Sequence, residues 1–197
     1  DGFPDLYLGA LGQNRLLINN GDGTFQDTTA RLGKTKPQFT SSVGIADLTA
    51  DGLPELFECV YVEMEDGFRL PDKDKDGFEL PPGPNDFYAE SDRWSLALGD
   101  GSFQTKTLAR DQIEPGTGLG LMITDFDGDG ANDVFVSNDA RPNHLLIGFN
   151  TPNITNIADL VGLGVGFRGF SNSCMGIAAG DFNREDRKST RLNSSHA

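Results

Sequence analysis

A nine-residue acidic turn recurs along this chain, and its recurrence limits the folds that the chain can adopt. The turn DFDGDGAND occupies 125–133, and DLTADGLPE aligns with it in register at 47–55. The opening DGFPD, residues 1–5, matches the second half of the pattern, and DFNRED at 181–186 matches its first half. A sequence with internal repeats of this kind is expected to stack one structural unit several times.

A second motif lies between the acidic turns and sets the length of the repeat. NRLLINNGDGTF at 14–25 aligns residue for residue with DRWSLALGDGSF at 92–103, and NHLLIGF at 143–149 repeats its beginning. The period is about 50–56 residues, which indicates a propeller or another repeat array. One unit is longer than the others, because an insertion near 62–90 separates its acidic turn from its second motif. Since the flanking repeats are intact, we predict that the insertion is a surface loop.

Each unit reads as a series of short strands. GLGLMITDF, DVFVSN and NHLLIGF are apolar, β-branched or aromatic runs bounded by glycine and polar residues. In the first unit, GDGTF supplies a tight Asp-Gly turn into a fourth strand. No segment keeps a helical period between its glycines, which disfavours helices. We therefore predict an all-β fold, a β-propeller of four-stranded antiparallel blades, with about three and a half blades in this chain.

The charge balance excludes some classes of partner. The chain has 197 residues and a formal net charge of −14, and 37% of its residues are hydrophobic. It lacks the basic footprint that nucleic-acid binding requires. No apolar run approaches the roughly 20 residues that span a bilayer. An acidic surface of this kind suits divalent cations, so we expect neither nucleic acid nor membrane insertion.

The turn at 125–133 crowds carboxylates that repel one another unless a cation lies among them. Side chains at positions 1, 3, 5 and 9 and a main-chain carbonyl at position 7 can surround one hard ion. Oxygen ligands in a loop of this flexibility suit calcium (Ca2+). A plain Asp/Gly turn is the alternative, but it needs fewer carboxylates. The predicted ligands are Asp125, Asp127, Asp129, Ala131 through its carbonyl, and Asp133.

The EF-hand is the nearest rival for this pattern, and the sequence argues against it. An EF-hand needs a bidentate Glu at position 12 and flanking helices, whereas position 12 here is Val136 in a predicted strand. The turn at 47–55 is a second candidate calcium site with a weaker ligand at its third position. Its predicted ligands are Asp47, Thr49, Asp51 and Glu55.

Two further sets of acidic residues are candidate calcium ligands. Asp1 and Asp5 align with the second half of the turn, whose first half is absent here. In the insertion, Asp72, Asp74 and Asp76 have the alternation of the turn but no acidic residue at position 9. A solvated charge run is the alternative for this second set.

The candidates for catalysis are few, and we expect no enzyme activity. His144 aligns with arginines of the other repeats, and a Ser-His-Asp triad therefore lacks a suitable histidine. A nucleophile pair of Cys174 with His144 lacks an orienting third group. A disulfide between Cys59 and Cys174 and two small buried thiols are both open. Trp94 aligns with leucines, which favours blade core over a sugar-stacking platform.

The repeated phrases NRLLINNGDGTFQDTT, DFDGDGANDVFVSND and SCMGIAAGDFN resemble the FG-GAP/VCBS calcium-binding repeats of integrin α-subunit heads. The closest resemblance is to the ASPIC/UnbV, cartilage-acidic-protein-like branch, and it covers 1–186. The resemblance implies a parent propeller of about seven blades, calcium in the blade loops, an extracytoplasmic location and a scaffold or adhesion role. It also implies that the rest of the propeller is missing from this chain. The basic, Ser-rich stretch 187–197 departs from the pattern, and we expect it to be a non-native tail.

The expected function is therefore that of a secreted, periplasmic or cell-surface calcium-binding repeat module, with a protein or glycan ligand that the sequence does not name. Two alternatives remain open. The propeller is the non-catalytic part of a larger secreted enzyme, such as a hydrolase or lyase, or it is a structural spacer in an adhesin.

Overall fold

The computed structural model describes residues 2–64 and 71–180 and the backbone of 189–194, and these residues form antiparallel β-sheets joined by turns. Short 3₁₀ segments lie at Thr29–Leu32, Pro84–Asp86 and Phe167–Gly169. Within the described ranges, no helix has the length and apolarity that a membrane span requires. Asp1 and the turn at 181–186 lie outside the described residues.

The first blade is a three-stranded sheet. Its region contains β1 (Leu6–Leu8), β2 (Leu11–Gly12), β3 (Arg15–Asn19) and β4 (Phe25–Asp27), and the sheet order is β1-β3-β4. β2 leaves this sheet and pairs with β5 (Gln38–Ala46) of the next blade. The two blades are therefore joined by backbone hydrogen bonds as well as by side-chain packing.

The second blade carries the insertion. After β5 come β6 (Glu55–Val60), the small hairpin of β7 (Asp72–Lys73) and β8 (Glu79–Leu80), then β9 (Arg93–Ala97) and β10 (Phe103–Thr107). The sheet order is β10-β9-β6-β5-β2, so the hairpin forms a separate two-stranded sheet. The insertion thus leaves the four strands of the blade paired in sequence order.

The third blade has the predicted four strands. They are β11 (Gly118–Thr124), β12 (Asp133–Asn138), β13 (His144–Ile147) and β14 (Thr155–Asn156), paired antiparallel in that order. β15 (Cys174–Gly180) begins a fourth sheet and pairs with the backbone of β16 (Ser189–Ser194). The all-β class and the four-stranded antiparallel blades predicted from the repeat are confirmed. The boundaries of the insertion and the non-native character of 187–197 stay predictions.

The apolar cores lie between blades. β5, β11 and β15 contact one another in succession, and β6 and β12 are buried on both faces. The largest core joins Phe57 and Trp94 of the second blade to Phe149 of the third, with Trp94 and Phe149 rings 5.4 Å apart and nearly perpendicular. Such edge-to-face pairs are a favoured aromatic geometry. Trp94 is therefore blade core, as its alignment with leucines predicted.

Each blade has two ends with different connections. The acidic turns 47–55 and 125–133 follow β5 and β11 at one end, which we call the Asp-loop face. The connectors 28–37, 108–117 and 157–173 between blades lie at the other end, which we call the connector face, and the insertion leaves β6 and returns to β9 at this end. Since β5 runs from Gln38 to Ala46, the two faces are about 26 Å apart along it.

Candidate metal centre

Three carboxylates of the turn between β11 and β12 converge. Asp125, Asp127 and Asp133 each offer one oxygen, and these oxygens all lie within 4.8 Å of one another. Asp125 is half-buried, Asp127 is exposed and Asp133 is buried at the start of β12. Among the described residues, this is the one group of three or more potential metal ligands whose donor atoms converge.

Glycine amides orient the first carboxylate. The N–H groups of Gly128 and Gly130 donate to the two oxygens of Asp125, at 2.6 and 3.2 Å. Both glycines have left-handed backbones, with φ of 82° and 94°, which a side chain would strain. The glycines of the motif therefore make the sharp bend that turns the aspartates toward one point.

The remaining carboxylates are also held by the turn's own backbone. Asp127 accepts from the Asp129 N–H at 3.0 Å, and Asp129 accepts from the Ala131 N–H at 2.8 Å. Asp133 accepts from the Phe126 N–H at 2.8 Å across the turn. Asp129 lies outside the group of converging oxygens. The assignment of Asp129 and of the Ala131 carbonyl as ligands stays a prediction.

The electrostatics of the turn favour a bound cation. Burial raises the pKa of Asp133, and the charges of Asp127 and Asp129 raise it further. The same crowding that disfavours ionised Asp133 is relieved when a positive ion lies among the carboxylates. The donor set is all oxygen, which is the chemistry that calcium prefers. The residues present therefore fit a calcium ion.

The equivalent turn at 47–55 is arranged differently. Asp47 accepts from the N–H groups of Asp51 and Gly52, at 3.2 and 2.9 Å, as Asp125 does from its glycines. Glu55 is fully buried and accepts from the N–H groups of Leu48 and Thr49, at 2.8 and 3.3 Å. The longer side chain of Glu55 thus accepts hydrogen bonds from the backbone of its own turn.

Two details separate this turn from the one at 125–133. Ala50 stands where the other turn has Gly128, and it adopts a φ of 59°, a conformation that costs an alanine free energy. The Thr49 hydroxyl oxygen is buried without a hydrogen-bond partner among the described residues. Its carboxylates do not form a converging group in the described part of the chain. Calcium ligation by Asp47, Thr49, Asp51 and Glu55 stays a prediction.

The two acidic turns touch each other. The Asn132 side-chain amide donates to the main-chain carbonyl of Asp47 at 2.8 Å. This bond joins the turn of the third blade to the turn of the second. The alignment did not single out Asn132, because its partner lies in a different repeat.

The other predicted ligands lie apart from this pair of turns. Asp5 accepts from the Asn19 N–H at 2.9 Å on the first blade. Asp74 accepts from the N–H groups of Asp76 and Phe78, both at 2.9 Å, and shapes the turn between β7 and β8. Asp72 lies in β7 and is exposed. A metal role for these residues also stays a prediction.

Sequence reasoning missed a buried polar cluster on the connector side of the second blade. Arg93 pairs with Glu58 at 2.5 Å, and Tyr7 of the first blade donates to the same carboxylate. Asp92 Oδ2 lies 4.0 Å from His144 Nδ1 of the third blade. The alignment contained a signal for this cluster, because Asp92 stands where the neighbouring repeats have asparagine.

The two cysteines are free thiols in separate blades, so the open question of a disulfide between Cys59 and Cys174 is answered against it. The Asn143 amide contacts Cys174 Sγ at 3.8 Å. Burial raises the pKa of the Cys174 thiol and that of the Cys59 thiol. Both thiols therefore resist ionisation, which disfavours a nucleophilic role.

Stacked four-stranded antiparallel sheets with acidic turns between their first and second strands define a propeller-type repeat protein. Comparison with known families agrees with this class. Residues 1–57 match the model of an FG-GAP-like repeat. The match covers the first blade, β5 and the acidic turn 47–55, whose alignment partner is the turn at 125–133. No curated protein matches the chain.

Proposed function

We propose that this chain is an extracytoplasmic calcium-binding repeat module that acts as a binding or adhesion scaffold. The proposal refines the FG-GAP-like match toward the VCBS repeats and the ASPIC/UnbV branch that the sequence resembles. The observation that carries it is the convergence of Asp125, Asp127 and Asp133 within 4.8 Å on one turn. In this role calcium is structural, and the ligand is a protein or glycan held by other surfaces of the blades.

Calcium would stabilise the module by compensating charge. Burial and the neighbouring carboxylates raise the pKa of Asp133, and a bound ion relieves the repulsion among these carboxylates and ties the end of β11 to the start of β12. Extracellular modules bind calcium with a Kd of roughly 0.1–1 mM. At about 1 mM calcium and the tight end of that range, one site adds about 1.4 kcal/mol to the free energy of unfolding. Cytosolic calcium is far too low for this, which supports an extracytoplasmic location.

The proposed role is non-catalytic. His144 is buried against Asp92, and burial lowers its pKa to about 4, so it is a neutral group enclosed between blades. Cys174 contacts Asn143 instead of pairing with His144. These arrangements favour structural roles for the residues that the sequence offered as candidates for nucleophilic chemistry.

Calcium titration of the thermal unfolding midpoint tests the proposal. We expect the midpoint to rise with calcium between 0.1 and 10 mM, by several degrees in total, because each kcal/mol shifts the midpoint of a domain of this size by about 2–4 °C. The Asp127→Ala variant removes one converging oxygen without removing a buried side chain. Its midpoint should rise much less over the same titration.

Asp111→Ala is the matched control, because it removes one exposed carboxylate from the connector 108–117, away from the acidic turns. It should retain the full calcium response. If parent, Asp127→Ala and Asp111→Ala unfold at midpoints that do not depend on calcium, the turn at 125–133 is not a calcium site and the proposal fails.

A further inference from the structure

A polar crevice on the connector face of the second blade has the features of a ligand site. It has a volume of about 240 Å³ and lies between the connector segment Lys34–Gln38 and the outer strands β9 and β10. Its walls are ammonium, guanidinium, hydroxyl, amide and carboxylate groups, and none of the described residues that line it is apolar. Such walls suit a ligand that is itself polar over most of its surface.

Gln38 supplies the most specific feature of this crevice. The residue is only 5% exposed, and its Oε1 has no hydrogen-bond partner among the described residues. A buried amide oxygen without a partner costs free energy, and native structures rarely leave one without a protein, water or ligand donor. Gln38 lines the crevice, and its Oε1 is therefore an acceptor at this site that is still without a donor.

The crevice also carries positive charge in a chain whose net charge is −14. Lys34 forms no ion pair with any described residue, whereas Lys36 Nζ lies 3.9 Å from a Glu90 carboxylate oxygen. Arg93 is already neutralised, because its guanidinium pairs with Glu58 and donates to the Lys36 carbonyl at 2.6 Å. Lys34 is therefore the cation that remains for an acidic ligand.

The corresponding crevice of the third blade provides an internal comparison. It has a volume of about 200 Å³, and His144 lines it where Arg93 lines the first one. Its walls include the carboxylates of Glu114 and Asp159 beside Arg141. The fold thus leaves one such crevice at each of these two blades, and only in that of the second blade do the basic lining residues outnumber the acidic ones.

We propose that the crevice at Gln38 binds a carboxylated sugar, such as a hexuronate unit. The sugar carboxylate pairs with the ammonium group of Lys34, and an adjacent hydroxyl donates to Gln38 Oε1. The polar walls favour a hydroxyl-rich acid over an apolar one. This inference names a ligand class for the binding role proposed above, but it uses the face opposite to the acidic turns.

Titration of the full chain with glucuronate, followed by saturation-transfer NMR, tests the inference. We expect saturable binding of glucuronate in the millimolar range, and at least tenfold weaker binding of glucose and of acetate. Lys34→Met and Gln38→Met keep side chains of similar length and should each weaken glucuronate binding at least fivefold. Lys75→Met, which removes an exposed ammonium from the insertion, should leave it unchanged.

Circular dichroism of each variant checks that the sheets are intact. The inference is overturned if glucuronate does not saturate, or if acetate binds equally well and Gln38→Met binds glucuronate like the parent. The second result would reduce the crevice to a nonspecific cationic patch. Repeating the glucuronate titration with Asp127→Ala separates the two proposals, because this variant should lose most of its calcium response and keep its glucuronate binding. A parent chain that binds glucuronate while its unfolding midpoint ignores calcium contradicts the calcium proposal alone.

Discussion

At the scale of single residues, the aligned position Asn14, Asp92 and Asn143 holds the same hydrogen bond in each blade. Its side-chain Oδ1 accepts from a backbone N–H at or just after the end of β1, β6 or β12. The distances are 2.9, 2.7 and 2.9 Å, for Asn14 to Ala10, Asp92 to Val60 and Asn143 to Asn138. The second blade alone has a carboxyl here, and burial raises the pKa of Asp92 to about 7. The fold thus uses an acid where its neighbours use an amide.

The pH dependence of this position follows from its partner. Burial raises the Asp92 pKa from 3.8 and lowers the His144 pKa from 6.5 to about 4, and Glu58 adds to the first shift. Between about pH 4 and 6.5, folded and unfolded chains therefore hold one proton each on these two groups. The opposing pH slopes that the two groups give to the free energy of unfolding therefore cancel in that window. Above about pH 6.5 only the folded chain still holds a proton, on Asp92, so the free energy of unfolding falls with pH and levels off once Asp92 ionises near pH 7.

Asp92→Asn should remove one side of this balance. Asparagine keeps the acceptor for the Val60 N–H, as the other two repeats do, and carries no charge. We expect the free energy of unfolding of the variant, relative to the parent, to rise by about 1.4 kcal/mol per pH unit between about pH 4 and 7. Urea unfolding at pH 4.5, 6 and 8 measures this difference. A constant difference across the three pH values would contradict the raised pKa.

At the scale of elements, equivalent strands of two blades pair in the same register but carry different buried side chains. The second blade places Glu58 of β6 beside Arg93 of β9, with the first blade's Tyr7 donating to Glu58. The third blade has Val136 and His144 at the aligned positions of β12 and β13, and their register is the same. One geometry therefore accommodates an ion pair in one blade and an apolar–neutral pair in the next.

Glu58→Val should destabilise the chain by about 3–5 kcal/mol, because it leaves the buried Arg93 guanidinium without its counter-charge. Combining Glu58→Val with Arg93→His gives the second blade the same pair of side chains as Val136 and His144 in the third blade. We expect the double variant to recover a large part of the loss, since both charges are then removed. Chemical unfolding of the parent, the two single variants and the double variant measures the coupling. Additive losses would contradict this account.

The strands that alignment predicts are those whose apolar pattern repeats. β11, β12 and β13 follow the runs GLGLMITDF, DVFVSN and NHLLIGF, because their side chains are buried or half-buried in the third blade. β2 was not predicted, because it is two residues long and its partner β5 belongs to the next blade. The convergence of Asp125, Asp127 and Asp133 followed from their spacing, whereas the Asn132–Asp47 bond depends on blade stacking.

At the scale of the whole molecule, stability depends on how closely successive blades approach. Gly118 of β11 lies against Cys59 of the second blade, and a Cβ at this glycine would also lie 2.8 Å from Val136 Cγ1. Cys59 and Val136 are fully buried in the core between the blades. The missing side chain is therefore a condition for the contact between these two blades.

Gly118→Ala should lower the free energy of unfolding by about 1–3 kcal/mol through overpacking. Cys59→Ala removes the nearest atom, so the double variant should lose less than the sum of the single losses. Gly176→Ala is the control, because a Cβ on this β15 glycine meets no atom within 4 Å. Thermal unfolding of the four variants checks the prediction, and equal losses for Gly118→Ala and Gly176→Ala would contradict it.

The bond between Asp92 and the Val60 N–H has a consequence for how this molecule can change over time. This bond joins the residues that flank the insertion. The pairing of β6 with β9 therefore does not depend on the length or composition of the chain between them. Mutation can lengthen, trim or exchange that excursion while the sheet beneath keeps its register. The insertion site can therefore accept new recognition loops, and a foreign peptide can be grafted there for display.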